Sequence, residues 1–100
     1  LLREKDIIAP EDADTPCRRI YLAIQLMYVD GGGRLPEHHR VYWELVRDVV
    51  NAAPSAIGLI DEISGHILGG AYYQALKSAK RLIAFEQEVL QNVHCTTGSI

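Results

Sequence analysis

Cysteine is scarce in this sequence and long apolar runs are missing. The only two cysteines, Cys17 and Cys95, are too few for the disulfide framework of a small secreted domain. No apolar run approaches the roughly 20 residues of a membrane-spanning helix, and the first residues do not have the pattern of a signal peptide. We therefore expect a protein of the reducing cytoplasm that has no contact with a membrane.

An excess of positive charge is also missing. Ten Lys and Arg residues face 13 Asp and Glu, and the net charge of −3 argues against a protein that coats nucleic acid without specificity. Any contact with nucleic acid must then come from a local basic patch. The 48% of apolar residues are typical of a globular chain, and 100 residues predict a single domain. Because the sequence has no initiator Met, we expect a fragment of a longer chain.

The residue patterns of enzymes and metal sites are not found either. His38 and His39 are adjacent, so on a helix they point to different sides and cannot chelate a metal together, and His94–Cys95 has the same fault. Gly31-Gly32-Gly33 lacks the Gly-Lys-Ser/Thr of a phosphate-binding loop and reads as a helix stop. We expect no catalytic residue, no metal and no cofactor.

Four amphipathic patterns, separated by proline and glycine, predict an all-α protein. The expected helices are about Pro16–Asp30, with Thr15 as N-cap, Pro36–Ala53, a helix capped by Ser55 that ends near Leu68, and Ala71–Val93 after Gly69–Gly70. The prediction is a small bundle of about four helices over residues 16–93. A short extended lead-in over residues 1–15, with an acidic linker at Ala9–Asp14, precedes it, and a flexible tail over residues 94–100 follows.

The first helix is apolar on nearly all sides. Its main stripe consists of Cys17, Ile20, Tyr21, Ile24, Met27 and Tyr28. A second stripe of Leu22, Leu26 and Val29 lies on the far side, and Arg18 with Gln25 leave only a narrow polar face. A helix of this kind is buried on both sides. The second stripe is therefore a candidate surface for a missing segment, a partner or a second copy of the chain.

The fourth helix carries a short basic patch on its polar side. Lys77, Lys80 and Arg81 lie within one turn, and Tyr73 lies one turn before them. Lysine and arginine can contact phosphates while an exposed tyrosine stacks on a base, which is a common way to hold single-stranded RNA. Arg18 and Arg19 extend this patch if the first helix lies alongside. The alternative from charge alone is an ordinary solvated helix face.

Two features interrupt the apolar stripes. Glu86 falls within the stripe of the fourth helix, which predicts either a paired carboxylate or an end of the core at that turn. Gly58 and Gly65 recur on the third helix, where they are either tolerated glycines or the site of a close helix crossing.

Three blocks of residues resemble the FlbT family, flagellar biosynthesis repressors of alphaproteobacteria. They are Leu2-Arg3-Glu4-Lys5-Asp6-Ile7, then Asp14-Thr15-Pro16 with Arg19-Ile20-Tyr21 and Leu26-Met27-Tyr28, and Tyr72-Tyr73-Gln74-Ala75-Leu76-Lys77 with Arg81-Leu82-Ile83 and Phe85-Glu86. Between Gly31 and Ala53 no family motif is found. The family normally begins with a β-rich segment, so the resemblance implies that such a segment is missing here.

The resemblance implies a post-transcriptional regulator that binds the 5′ untranslated leader of flagellin mRNA and lowers its translation and lifetime. Partners would be that leader, with a FlaF-type regulator or flagellin as further partners. The sign of regulation stays open, because some family members promote flagellin production. The competing interpretation is a protein-binding adaptor or chaperone-like helical module that contacts flagellin or a flagellar partner and affects the mRNA indirectly.

Overall fold

A computed structural model describes residues 7–29 and 36–98, with the backbone alone for residues 86–98. The described chain consists of four α-helices: α1 (Pro16–Val29), α2 (Pro36–Ala52), α3 (Ile57–Leu68) and α4 (Tyr72–Gly98). Short 3-10 turns at Pro10–Asp12 and Pro54–Ala56 precede α1 and α3. No strand occurs in these ranges. The predicted all-α class is confirmed.

Proline and capping residues determine where the helices begin. The Thr15 side chain accepts a hydrogen bond from the Arg18 backbone N–H at 3.3 Å, so Thr15 is the N-cap of α1 as predicted. The predicted cap of α3 is wrong: Ser55 lies inside the 3-10 turn opened by Pro54, and Ala56 takes the N-cap position without a side-chain bond. A proline at the first position of a turn fixes φ there, and the helix start lies one residue later than predicted.

The turn between α3 and α4 uses the predicted glycine pair. Gly70 has a φ of +76°, a left-handed conformation that glycine adopts without steric cost. This conformation lets the backbone N–H of Ala71 reach the carbonyl of His66 at 2.7 Å. At its other end α4 extends to Gly98, whereas the sequence predicted its end at Val93, because no glycine or proline interrupts residues 94–97.

α1 lies in the middle of the bundle. It packs against both α2 and α4, and α4 packs in turn against α3. Ile20, Ile24 and Met27 are completely buried at the centre. The predicted stripes of α2 and α4 also face this core, with buried side chains at Tyr42, Val49, Ala75, Leu76, Ala79 and Leu82. An exception is Val41, which helical periodicity places on the apolar side of α2 but which is exposed.

An amide side chain of α1 helps to attach the preceding segment to the bundle. Gln25 Oε1 accepts a hydrogen bond from the Ile8 backbone N–H at 2.8 Å, and Gln25 Nε2 donates to the Ile8 carbonyl at 3.0 Å. Gln25 is only 6% exposed. The prediction that it forms part of a polar face is therefore wrong, since the incoming chain covers it. Ile8 is half-buried against the core, while Ile7 is exposed.

Tyr42 is one of two tyrosines that are fully buried in the core, the other being Tyr21. Its hydroxyl shares a 2.8 Å hydrogen bond with Ser64 Oγ, which joins α2 to α3. Burial raises the pKa of Tyr42 from 10.0 to about 12, although the hydrogen bond to Ser64 opposes the shift. The folded state therefore favours the neutral form of the Tyr42 hydroxyl.

The two glycines of α3 are tolerated rather than needed for packing. A Cβ atom built on Gly58 or Gly65 would meet nothing within 4 Å among the described residues. A close helix crossing therefore does not explain them in the described chain. The question about Glu86 falls among the side chains that the structure does not describe.

Candidate nucleic-acid and partner surfaces

Tyr73, Lys77 and Lys80 share one solvent-facing stripe of α4, because helical residues three, four and seven apart lie on the same side. We call these three residues the α4 strip. Tyr73 is 40% exposed, and the Lys77 ammonium lies 4.9 Å from the centre of its ring. This cation–π contact holds a positive charge against an exposed aromatic face.

Tyr28 of α1 continues the α4 strip sideways. Its ring centroid lies 5.9 Å from that of Tyr73, with the ring planes tilted by 43°. Aromatic pairs at this separation stabilise one another and fix ring orientation. The contact positions Tyr73 at the junction of α1 and α4, where two helices limit its rotamers.

Arg81 belongs to a different environment from the α4 strip. Its guanidinium donates to Glu62 Oε2 of α3 at 3.1 Å, and the same oxygen accepts a 2.7 Å hydrogen bond from Ser78 Oγ. Ser78 is only 6% exposed, so one end of this network is buried and the Arg81 end is open to solvent. The sequence placed Arg81 within the basic patch but gave no sign of an acidic partner on another helix.

The two arginines of α1 lie on different sides of their helix. Arg18 forms an exposed ion pair with Asp14 at 3.3 Å and borders a shallow depression that also includes Ile83 of α4. The fold therefore brings Arg18 beside α4. Arg19 instead faces α2, and its Nε donates to the Ala13 carbonyl at 3.2 Å.

A groove of about 190 Å³ runs between α1 and α2. We call it the α1–α2 groove; its lining residues are Arg19, Leu22, Ala23, Leu26, His38, Val41 and Leu45. Only apolar atoms of the lining residues face the solvent in the groove, and this includes the atoms that Arg19 and His38 contribute. Leu22 and Leu26 of the predicted second stripe are half-buried here, and Val29 is 59% exposed beyond them. The groove is smaller than the roughly 300–1,000 Å³ of a typical small-molecule site.

The described chain contains neither a cluster of metal ligands nor a membrane-spanning helix. Nowhere in residues 7–29 and 36–85 do His, Cys, Asp and Glu side chains form a group of three that could hold a metal ion. His38 Nδ1 is buried without a hydrogen-bond partner in the described structure. None of the described helices is long and apolar enough to cross a membrane.

Comparison with known proteins gives one consistent result. The family model for the flagellar protein FlbT matches residues 1–90, including the stretch from Gly31 to Ala53 in which the sequence shows no family motif. The chain is 46% identical over 89 residues to a probable flagellum biosynthesis repressor protein FlbT 1 of Bradyrhizobium diazoefficiens, an alignment that covers 89% of this chain and 60% of that protein. It is 40% identical over 90 residues to a probable FlbT repressor of Rhodopseudomonas palustris, covering 90% of this chain and 70% of the relative.

A more distant relative carries the same name. The flagellum biosynthesis repressor protein FlbT of Caulobacter vibrioides is 33% identical over 95 residues, which are 93% of this chain and 67% of that protein. No solved structure gives a significant match. The chain thus spans about three fifths to seven tenths of these relatives. On the family match and these identities together, this chain belongs to the FlbT family, whose named relatives are repressors of flagellum biosynthesis.

Proposed function

We propose that this chain acts in the cytoplasm as an RNA-binding regulator of flagellin synthesis, and that the α4 strip contacts the 5′ untranslated leader of flagellin mRNA. The named relatives support a role in repressing flagellum biosynthesis. The observation that favours RNA is the exposed Tyr73 ring with the Lys77 ammonium beside it. An unpaired base can stack on such a ring while the ammonium contacts the neighbouring phosphate.

The proposed RNA surface continues from the α4 strip along the α1–α4 junction. Tyr28 meets Tyr73 near one end of the junction, and Arg18 lies beside Ile83 near the other. Ten residues separate Tyr73 from Ile83, which corresponds to about 15 Å along a helix. A short single strand laid along α4 would therefore pass the aromatic pair first and Arg18 last.

The arginines contribute less charge than their number implies. Arg18 is paired with Asp14 and Arg81 with Glu62, both in exposed contacts. Exposed ion pairs contribute about 0–1 kcal/mol, so a phosphate can compete for either arginine. The contact surface thus consists of a lysine–tyrosine centre with two exchangeable arginines beside it.

A pair of charge-matched double variants tests the RNA interface. Lys77→Glu with Lys80→Glu changes the α4 strip, and Arg40→Glu with Arg47→Glu makes the same change of net charge on exposed residues of α2. Binding to a flagellin leader RNA is measured across a salt series. Loss of two phosphate contacts should lower the slope of log affinity against log salt by about 1.4, since each contact to a single strand contributes about 0.7.

Two results would contradict the proposal. One is a lysine double variant that binds the leader as tightly as the arginine double variant. The other is wild-type binding that does not respond to salt, which would favour the protein-binding adaptor, whose support is the apolar α1–α2 groove. A Tyr73→Ser variant adds a separate measure of stacking, and alanine substitutions of stacked aromatics in other proteins cost about 1–3 kcal/mol per base.

A further inference from the structure

The apolar floor of the α1–α2 groove continues onto exposed side chains. Val41 lies at its α2 edge and is 41% exposed, and Val29 extends the same side of α1 with still more exposed surface. Apolar side chains that are contiguous in this way commonly mark an interaction site. The groove has room for one or two aliphatic side chains, which fits contact with another protein surface.

The two edges of the groove carry opposite charge. On α1 the edge is basic, because Arg19 is part of the lining. On α2 it is acidic: Glu44 lies three residues after Val41, and Asp48 lies three residues after Leu45, so both share the outer side of the helix with the lining residues. Both acidic residues are exposed, and neither forms an ion pair with another residue in the described ranges.

The direction of the two helices places these charges at the same height along the helix axes. Only residues 30–35 separate α1 from α2, and the two helices pack side by side, so they run antiparallel. Leu26 is then level with His38 near the connection, and Arg19 is level with Leu45 further away. Arg19 uses its Nε for the Ala13 carbonyl, which leaves its terminal N–H groups available for a carboxylate.

We propose that the occupant of the α1–α2 groove is a second copy of this chain, related by a two-fold axis that runs along the groove. Such an axis sets α1 of one copy over α2 of the other. Because it runs parallel to the helices, the rotation does not change the height of any residue along them. Leu22 and Leu26 then face the other copy's Val41 and Leu45. The same rotation brings Arg19 of each copy to the Glu44–Asp48 edge of the other, so the charges of this surface are complementary to themselves.

The area of the surface formed by α1 and α2 around the groove limits the affinity of the dimer. α2 is about 25 Å long, and two packed helices are about 20 Å wide, which gives about 500 Å² per copy and about 1,000 Å² in total. This is the lower limit for a specific interface. We therefore expect a dissociation constant in the micromolar range. None of the three residues of the α4 strip lines the groove, so this arrangement does not use them.

The decisive experiment mixes two charge-reversed variants. Arg19→Glu alone and Asp48→Arg alone each place like charges at both symmetric contacts, and each should weaken self-association at least tenfold in sedimentation equilibrium. In a mixture of the two variants, every contact is again between opposite charges. The mixture should therefore form a heterodimer with close to the wild-type affinity.

An Arg47→Glu variant is the matched control, because Arg47 is exposed on α2 away from the groove and its reversal should leave dimerisation unchanged. Thermal melting of each variant establishes that it is folded. A wild-type chain that remains monomeric up to near-millimolar concentration overturns the proposal, as does a dimer that Arg19→Glu and Leu22→Glu leave intact. A folded mixture without heterodimer overturns it too, and the groove would then belong to a different occupant.

Discussion

Glu62 should limit RNA binding, because it forms an ion pair with Arg81 beside the α4 strip and so competes with a phosphate for this arginine. Both Arg81 and Ser78 direct hydrogen bonds to one oxygen of this carboxylate. Glu62→Gln removes the negative charge, and its amide oxygen can still accept the hydrogen bond from Ser78. We expect the free energy of unfolding to fall by less than about 1 kcal/mol, because the ion pair that is lost is exposed.

The expected gain in affinity follows from the same ion pair. Its side chains are 66% exposed at Arg81 and 43% exposed at Glu62. An ion pair this accessible to water contributes at most about 1 kcal/mol, which any phosphate must overcome to reach Arg81. Removal of the competing carboxylate should thus tighten leader binding by up to about fivefold at low salt, and the difference should shrink as salt screens it.

Asp61→Asn provides a control with the same change of net charge. Asp61 is the exposed neighbour of Glu62 and forms no ion pair with Arg81. Fluorescence anisotropy with labelled leader RNA, measured for both variants at several salt concentrations, separates release of Arg81 from a general reduction in negative charge. Equal affinities for the two variants would refute the reasoning, and so would weaker binding by Glu62→Gln.

Two further predictions concern the stability of the bundle. The raised pKa of Tyr42 stabilises the fold below pH 10, and this contribution is lost as the pH rises towards 12. The loss should reach roughly 2–3 kcal/mol in urea unfolding, and Tyr42→Phe should not show it; equal alkaline slopes in both proteins would contradict this. Gly58→Ala and Gly65→Ala should each stabilise α3 by about 0.5–1 kcal/mol, because the new Cβ meets no atom of the described residues within 4 Å. The pair should raise the melting temperature by several degrees, and an unchanged or lower value would show that these glycines are needed.

Helix positions were predictable because their signals are local. Thr15 and Pro16 mark the start of α1 within the sequence itself, and Pro36 does the same for α2. The buried stripe through Ile20, Ile24 and Met27 follows from periodicity within one helix. The Ser55 cap failed for a related reason, since two local signals stood side by side and the turn opened by Pro54 prevailed.

Contacts between helices were not predictable from periodicity. The sequence placed Arg81 with Lys77 and Lys80 because it could not show that α3 presents Glu62 to that side of α4. It also gave no sign that Ser78, a polar residue within a helical pattern, would be buried beside the same carboxylate. Such pairs depend on how two helices cross, which the pattern of either helix alone does not contain. The candidate RNA contacts remain a prediction for the same reason.

The double hydrogen bond between Gln25 and Ile8 has a consequence for substitution. The side-chain amide presents one donor and one acceptor to a peptide unit, as a neighbouring β-strand would. Glutamate has nearly the same shape, but its ionised carboxylate cannot donate to the Ile8 carbonyl, and leucine can do neither. In this family member, the attachment of Ile8 to the bundle therefore depends on the hydrogen-bond chemistry of Gln25, and a residue of similar size or polarity alone would not suffice.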